Sequence, residues 1–214
     1  MNVDERMIAY IRSLDRGENE QLRAIEREAL EDHVPIIRKE TAALLRVLLR
    51  MKKPGRLLEV GAAVGFSSIL MSEYAGEGCE ITTIEKFEPR ILKARENLKK
   101  TGKEGQITLL EGDALDILKG LEPAYDFIFM DAAKGQYIHF FPEVMRLLAV
   151  GGVLVSDNVL QDGDIVQSRY AVTRRNRTIH SRMREYLWEL THNDCLETVV
   201  LPVGDGVTVS TRLK

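Results

Sequence analysis

Cysteine is scarce in this chain. It has two in 214 residues, Cys79 and Cys195, in no CxxC spacing and with no histidine cluster beside either. That excludes a disulfide scaffold and a zinc ribbon or finger, and it suits a reducing cytoplasm. Long apolar runs are missing too: none approaches the roughly 18 residues that cross a bilayer, so no membrane partner is expected. The opening MNVDERMIAYIRSLDRGE is too charged for the apolar core of a secretory leader, so a cytoplasmic location is the expectation. Nor is there an excess of positive charge. Thirty Lys and Arg stand against 33 Asp and Glu, a net charge of −3, so the whole molecule is not a polycation that coats nucleic acid. Any such contact must come from a local patch. No internal repeat, low-complexity tract or Pro/Gly/Ser linker divides the chain, and its length suits a single domain over 1–214.

What is present is an ordinary globular balance, 44% apolar and 29% charged residues. Residues 1–53 read as helices. MIAYIRSL has apolar residues at helical spacing. ENEQLRAIEREALEDH places Leu22, Ile25, Ala29 and Leu30 on one face. Pro35 opens PIIRKETAALLRVLLRMKK, in which Ile36, Leu44, Val47 and Leu48 follow a 3.6 period until Pro54-Gly55 stops it. From residue 54 the pattern changes. RLLEVG, CEITTIE, QITLLEG, YDFIFMD and GGVLVSD are nearly continuous apolar runs, each followed by a helix-like stretch. Continuous apolarity suits strands buried on both faces, and strand–helix alternation implies a parallel, doubly wound sheet. LETVVLPVGDGVTVSTRL differs: two strands meet at a turn around Gly204-Asp205-Gly206 with no helix between them, an antiparallel hairpin. The expected fold is α/β and Rossmann-like, a seven-stranded, mostly parallel sheet (54–214) closed by the hairpin and preceded by a helical cap (1–53).

Ligands of such sheets bind at the carboxyl ends of the strands. The first strand ends Glu59-Val60-Gly61-Ala62-Ala63-Val64-Gly65-Phe66-Ser67. The dinucleotide fingerprint needs glycines at offsets 0, 2 and 5, which here are Gly61, Ala63 and Phe66, so it fails. What remains is an acidic residue followed by Gly-x-x-x-Gly. Glu59 would repel a pyrophosphate and welcome an ammonium or sulfonium group. Glu85, closing the second strand, is placed to accept two ribose hydroxyls, and Gly112-Asp113-Ala114 closes the third, where adenine fits. These residues resemble the class I S-adenosylmethionine-dependent methyltransferases.

The fourth strand ends Asp131-Ala132-Ala133-Lys134 and the fifth Asp157-Asn158. Adjacent strand ends bring Asp131, Asp157 and Asn158 together as hard oxygen ligands that suit Mg²⁺. Coordination would acidify a substrate hydroxyl that is otherwise a poor nucleophile. Lys134, three residues after Asp131, would reach the same oxygen as general base. The bland alternatives are helix N-caps for the aspartates and a solvated lysine. Together these residues resemble the cation-dependent O-methyltransferases, the catechol and caffeoyl-CoA type, over about residues 30–214. The resemblance implies that Val34 closes over the methionine portion of the cofactor, with Gly61 and Ser67 beside it. It further implies that Glu85 holds the ribose, that Asp113 and Ala114 flank the adenine, and that Asp131 lies near the sulfonium. It also implies a homodimer. Where this family sometimes carries a large aromatic, two residues after Gly61, this chain has Ala63.

Between Asp164 and Glu185 there is no acidic residue but there are six arginines: Arg169, Arg174, Arg175, Arg177, Arg182 and Arg184. The segment follows the metal loop and should border the mouth of the site. Clustered guanidinium forks suit an RNA backbone; the alternative is the solvated face of a long helix. With His33-Val-Pro-Ile, Asp131–Tyr137, Asp157–Leu160 and Pro202–Gly206, the run resembles the bacterial tRNA 5-hydroxyuridine methyltransferases. That resemblance implies a tRNA anticodon loop as substrate, with Arg174, Arg175 and Arg177 on flanking phosphates. A small-molecule catechol or caffeoyl-CoA-like substrate is the rival, and a silent binding module the reading from another class.

Overall fold

The computed structural model describes residues 5–214. Three helices come first: α1 (Glu5–Ser13), α2 (Glu20–Glu31) and α3 (Lys39–Lys52). Then strand and helix alternate through β1 (Arg56–Val60), α4 (Phe66–Ala75), β2 (Glu80–Glu85), α5 (Glu88–Thr101), β3 (Ile107–Glu111), α6 (Ala114–Gly120), β4 (Tyr125–Met130), α7 (Tyr137–Leu147), β5 (Leu148–Ser156) and α8 (Arg177–His192). The chain finishes with β6 (Leu196–Leu201) and β7 (Val207–Arg212).

Local chemistry sets several boundaries. The Asn19 side chain accepts the Leu22 amide at 2.9 Å and starts α2. Lys53, in the left-handed region, ends α3 just before Pro54. The Asp113 side chain accepts the Leu115 amide and starts α6.

The sheet order is β3-β2-β1-β4-β5-β7-β6. β1 to β5 pair in parallel, and β7 runs antiparallel to both β5 and β6. The order reverses between β1 and β4, which opens the crevice where doubly wound sheets hold ligands. Successive strand residues face opposite layers. Leu57, Phe127, Phe129 and Val155 meet α2–α5 on one side through Leu22, Leu45, Leu49, Leu70 and Leu98. Leu58, Val60, Ile128, Met130 and Leu154 meet α6–α8 on the other, through Leu118, Tyr137, Val144 and Tyr186.

Two readings of the helical cap need correction. The third helix begins at Lys39 rather than Pro35, because Arg38 is still extended (φ −70°, ψ 154°). Its buried stripe is Thr41, Ala42, Leu45 and Leu49, an i, i+3, i+4 set facing α4 and the sheet, whereas Val47 is exposed and Ile36, Leu44 and Leu48 are half-buried. On α2, Leu22, Ile25 and Ala29 are buried but Leu30 points to solvent. The 3.6 period identified the helices; a helix rich in leucine on several faces does not say which face the sheet will cover. No helix among the described residues is long and apolar enough to cross a membrane.

Candidate active site

The loop after β1 is held tightly against its neighbours. The Gly61 and Ala62 amides both donate to the Ile84 carbonyl, at 3.0 and 2.9 Å. Gly61 has φ +108°, and a Cβ there would lie 2.2 Å from the Asp131 carbonyl oxygen. Only glycine lets these two backbones pass. Glu85, at the tip of β2, receives three amides: Ala63 on Oε2 at 2.9 Å, and Lys86 and Phe87 on Oε1 at 2.8 and 3.0 Å. Its carboxylate is a fixed acceptor at the rim of the loop.

Glu59 lies deeper than the sequence reading placed it. It is fully buried beneath the loop, and its Oε2 accepts the Thr83 hydroxyl at 2.5 Å. Burial raises its pKa to about 7, against the pull of the nearby Ser67, Thr83 and Ser68 hydroxyls. Oε1 has no hydrogen-bond partner among the described residues.

Asp131, Asp157 and Asn158 come together as expected. The Asp131 amide donates to Val60 O and the Asp157 amide to Met130 O, so the sheet ladder itself aligns the strand ends. Asn158 Nδ2 donates to Asp131 Oδ1 at 2.8 Å, and the Asn158 amide to Asp157 Oδ1 at 2.7 Å. Below them the buried Tyr137 hydroxyl contacts the Met130 and Asp157 carbonyl oxygens at 3.1 and 3.2 Å. Burial pushes Asp131 up to about 6, helped by the charge of Glu59, and Asp157 up to about 7, helped by the charge of Asp131. Among the described residues neither carboxylate is in an ion pair, and no group of three His, Cys, Asp or Glu forms a metal cluster. Two buried carboxylates, both raised by burial and neighbouring negative charge, with a carboxamide oxygen as the third donor, fit a hard divalent cation.

Lys134 opens a short 3₁₀ turn (Lys134–Gln136). The sequence reading aimed it at the substrate hydroxyl oxygen. In the structure its ammonium donates to Asp205 Oδ2 at 2.8 Å. Asp205 is almost fully buried, and its other oxygen accepts the Asp162 amide. Arg38 closes this side: one guanidinium nitrogen donates to Asp162 Oδ1 at 2.7 Å, another to Gly204 O at 3.3 Å.

A family model described as O-methyltransferase matches residues 13–213. The chain belongs to the O-methyltransferase family. A caffeoyl-CoA O-methyltransferase of Populus kitakamiensis is 27% identical over 217 residues, covering 95% of this chain and 91% of the relative. A Staphylococcus aureus structure provisionally described as a caffeoyl-CoA O-methyltransferase superposes with a TM-score of 0.88 at 30% identity, over 95% of this chain and 98% of that one. An SAH-bound methyltransferase of Podospora anserina gives 0.87 at 26% identity, over 98% and 95%.

The remaining sequence-derived positions of this methyltransferase are distributed as follows. Ser67 is buried in the first turn of α4. Asp113 caps α6 and meets Lys86 at 3.3 Å, with Ala114 behind it against the core. Val34 is half-buried and, with Val64, Phe87 and Arg90, lines a cavity of about 420 Å³ between α2 and α5. The arginines divide. Arg182 donates to Gly135 O, Arg184 to Ile165 O, and Arg177 to Val172 O at 3.3 Å and Tyr170 O at 3.5 Å. Arg169, Arg174 and Arg175 are exposed. Arg177 is therefore corrected from a contact residue to one that holds the loop before α8, since its half-buried guanidinium donates to two carbonyls of that loop.

Sequence reasoning missed Asp205, Asp162, Arg38 and Thr41, whose hydroxyl lies 3.5 Å from Asp157 Oδ1. Gly-Asp-Gly reads as a turn; the one available signal was that the hairpin's turn must return to the strand ends beside the fifth strand.

The buried Glu59 carries a stability consequence. Its folded pKa lies above the ordinary 4.5, so the folded state resists ionisation. Stability should fall as pH rises from about 4.5 to about 7 and stay reduced above that. Glu59→Gln removes the charge and keeps an acceptor for Thr83. The ligand-free variant is expected to melt several degrees above the parent at pH 8 and level with it at pH 4. Equal melting temperatures at pH 8 would contradict this assignment.

Proposed function

We propose that this chain transfers the methyl group of S-adenosylmethionine to the 5-hydroxyl of 5-hydroxyuridine in the anticodon loop of tRNA, at the wobble position, with Mg²⁺ as the metal. The observation that carries the RNA reading is the position of the arginine segment. Arg182 of α8 bonds Gly135, next to Lys134, so the helix that directly follows the exposed Arg169, Arg174 and Arg175 packs against the turn that presents the lysine.

In this reading Glu85 receives the ribose hydroxyls. The Gly61–Ala63 backbone lets the cofactor approach closely, and Asp113 and Ala114 flank the adenine. Val34 and Ser67 border the methionine portion, with Glu59 beneath the loop. Asp131, Asp157 and Asn158 hold the divalent cation. The cation, when bound, would lower the pKa of the substrate hydroxyl and neutralise the paired carboxylates. Lys134 takes the hydroxyl proton, and the oxygen is left free to attack the methyl group as the sulfonium leaves as a neutral thioether. A 5-hydroxyl beside a 4-oxo group is a vicinal oxygen pair, as in a catechol, so the same three donors serve either substrate. An anticodon loop presents its bases unpaired and able to enter a pocket.

The names of the relatives favour a second reading, a small catechol or caffeoyl-CoA-like substrate. The deciding assay offers labelled S-adenosylmethionine and Mg²⁺ with tRNA carrying 5-hydroxyuridine, or with caffeic acid or its CoA ester. Label in 5-methoxyuridine supports the RNA reading. Label only in the catechol moves the enzyme to small molecules.

Replacing Arg174 and Arg175 by Ala is expected to raise the KM for tRNA about ten-fold at physiological salt and leave that for the cofactor unchanged. The slope of log affinity against log salt should shrink by roughly 1 to 2, one phosphate contact per arginine. Filter binding across a salt series measures it, and an unchanged slope returns both residues to a solvated surface.

A further inference from the structure

We infer that Asp205 is a positioning residue for the methyl transfer: its buried carboxylate fixes the Lys134 amine in one place beside the strand-end site. The inference rests on the reading of Lys134 as the base.

The geometry is specific. Asp205 sits in the turn between β6 and β7, 71 residues after Lys134, and only 5% of it is exposed. Oδ2 takes the Lys134 ammonium and Oδ1 the Asp162 amide. The turn that carries it is itself locked: Leu160 N donates to Asp205 O at 2.9 Å and Val159 N to Gly206 O at 3.0 Å. Gly206 leaves no freedom there, because a Cβ on it would meet the Leu160 side chain at 2.2 Å. A buried carboxylate with both oxygens committed is a rigid anchor, and the lysine it holds has its long stem confined to one arc. Without Asp205, four rotatable bonds would carry the ammonium elsewhere.

Other charges face the amine. Asp131 lies within electrostatic range from the end of β4. Asp162 and Arg38 close the far side of Asp205, and Arg38 is itself stabilised by Asp162, Asp205 and Asp157. Arg182 approaches from α8 through Gly135. Among the described residues, Asp205 is the group that hydrogen-bonds the amine, at 2.8 Å.

Asp205→Asn tests this, because asparagine keeps an acceptor for the Asp162 amide and deletes the charge that holds the amine. The complete enzyme, with S-adenosylmethionine, Mg²⁺ and the substrate that the deciding assay identifies, is followed for kcat and for the cofactor KM, with Asp205→Glu as the conservative variant. The expected result is a kcat lower by about ten-fold or more with the cofactor KM unchanged, and partial recovery of kcat in Asp205→Glu. A kcat within about two-fold of the parent, or a loss matched by an equal rise in the cofactor KM, overturns the inference and leaves Asp205 as a turn residue. If Asp205→Asn fails to fold, the parent protein still decides: after reductive ¹³C-methylation, with Lys134→Arg assigning the signal, the Lys134 methyls should show nuclear Overhauser contacts to the Asp205 turn, and their absence overturns the pairing in solution. Lys134→Ala separates the levels. Turnover within about ten-fold of the parent overturns the base reading and with it the catalytic meaning of the pair, whereas loss of turnover there with an unchanged kcat in Asp205→Asn overturns only the role given to Asp205.

Discussion

Asp131→Asn is expected to cut turnover by about a thousand-fold or more and to make the ligand-free protein harder to melt. The two effects have one origin. Asp131 and Asp157 end neighbouring strands, both are largely buried, and the charge of Asp131 helps burial to raise Asp157. That repulsion is what a divalent cation relieves. Removing one carboxylate forfeits several kcal/mol of charge stabilisation in the transition state, which is a factor of about a thousand. Asparagine keeps an oxygen for Asn158 Nδ2, so the local hydrogen bond survives. For stability the sign is opposite. Asp131 titrates at about 6 in the fold against an ordinary 3.8. Its ionisation therefore costs stability progressively from about pH 4 to about pH 6, and the full cost is present above that. The variant lacks this cost. Thermal melts of metal-free protein should show it above the parent at pH 8 and level with it near pH 4. Full turnover of the variant in excess chelator would sink the metal assignment.

Gly61→Ala is expected to have the second large effect. The added Cβ would sit 2.2 Å from the Asp131 carbonyl oxygen, 2.8 Å from its carbon and 3.2 Å from the Ala132 Cα. All three are backbone atoms, which cannot turn aside as a flexible side chain would. The φ of +108° adds strain of its own. A loss of about 3 kcal/mol or more is expected in urea unfolding, with cofactor binding lost by calorimetry, because the loop and the Asp131 strand end must part. Gly76→Ala is the control. Its φ is also positive, +105°, but nothing lies within 4 Å of the added atom. It should lose only about 1–2 kcal/mol and keep the cofactor. If both variants lost stability equally, backbone conformation and not the close approach would be the cause.

The parallel sheet was legible because a strand covered on both faces leaves a nearly continuous apolar run, as Phe127, Ile128, Phe129 and Met130 of β4 do, all four fully buried. Leu57 and Leu58 face opposite layers, yet both are fully buried. Glu85, Asp131, Asp157 and Asn158 were legible because strand ends follow directly from such runs. Asp205 was not. A buried aspartate and an exposed turn aspartate look alike between two glycines, and the difference lies in which strand the hairpin joins. The start of α3 escaped for a related reason. Pro35 can open a helix, but residues 35–38 stay outside it, and Arg38, extended, is drawn to Asp162 and Gly204 by contacts that no local spacing encodes. The arginine run was visible as charge, but its division was hidden. Which guanidinium meets a leftover carbonyl depends on how the loop before α8 lies.

The sheet order has a consequence for the route by which the protein acquires its site. β7 enters between β5 and β6, so the hairpin's later strand makes the pairing and its earlier strand is the edge. Asp205 reaches Lys134 only after that insertion. Contacts spanning so much chain form late, since loop closure must precede their reward. A chain that has collapsed around β1–β5 but not yet seated the hairpin would hold the strand-end carboxylates and the glycine loop without the anchor for its lysine. In refolding experiments the ability to bind cofactor should therefore return before turnover does, and the lag between them would time the arrival of the last strand.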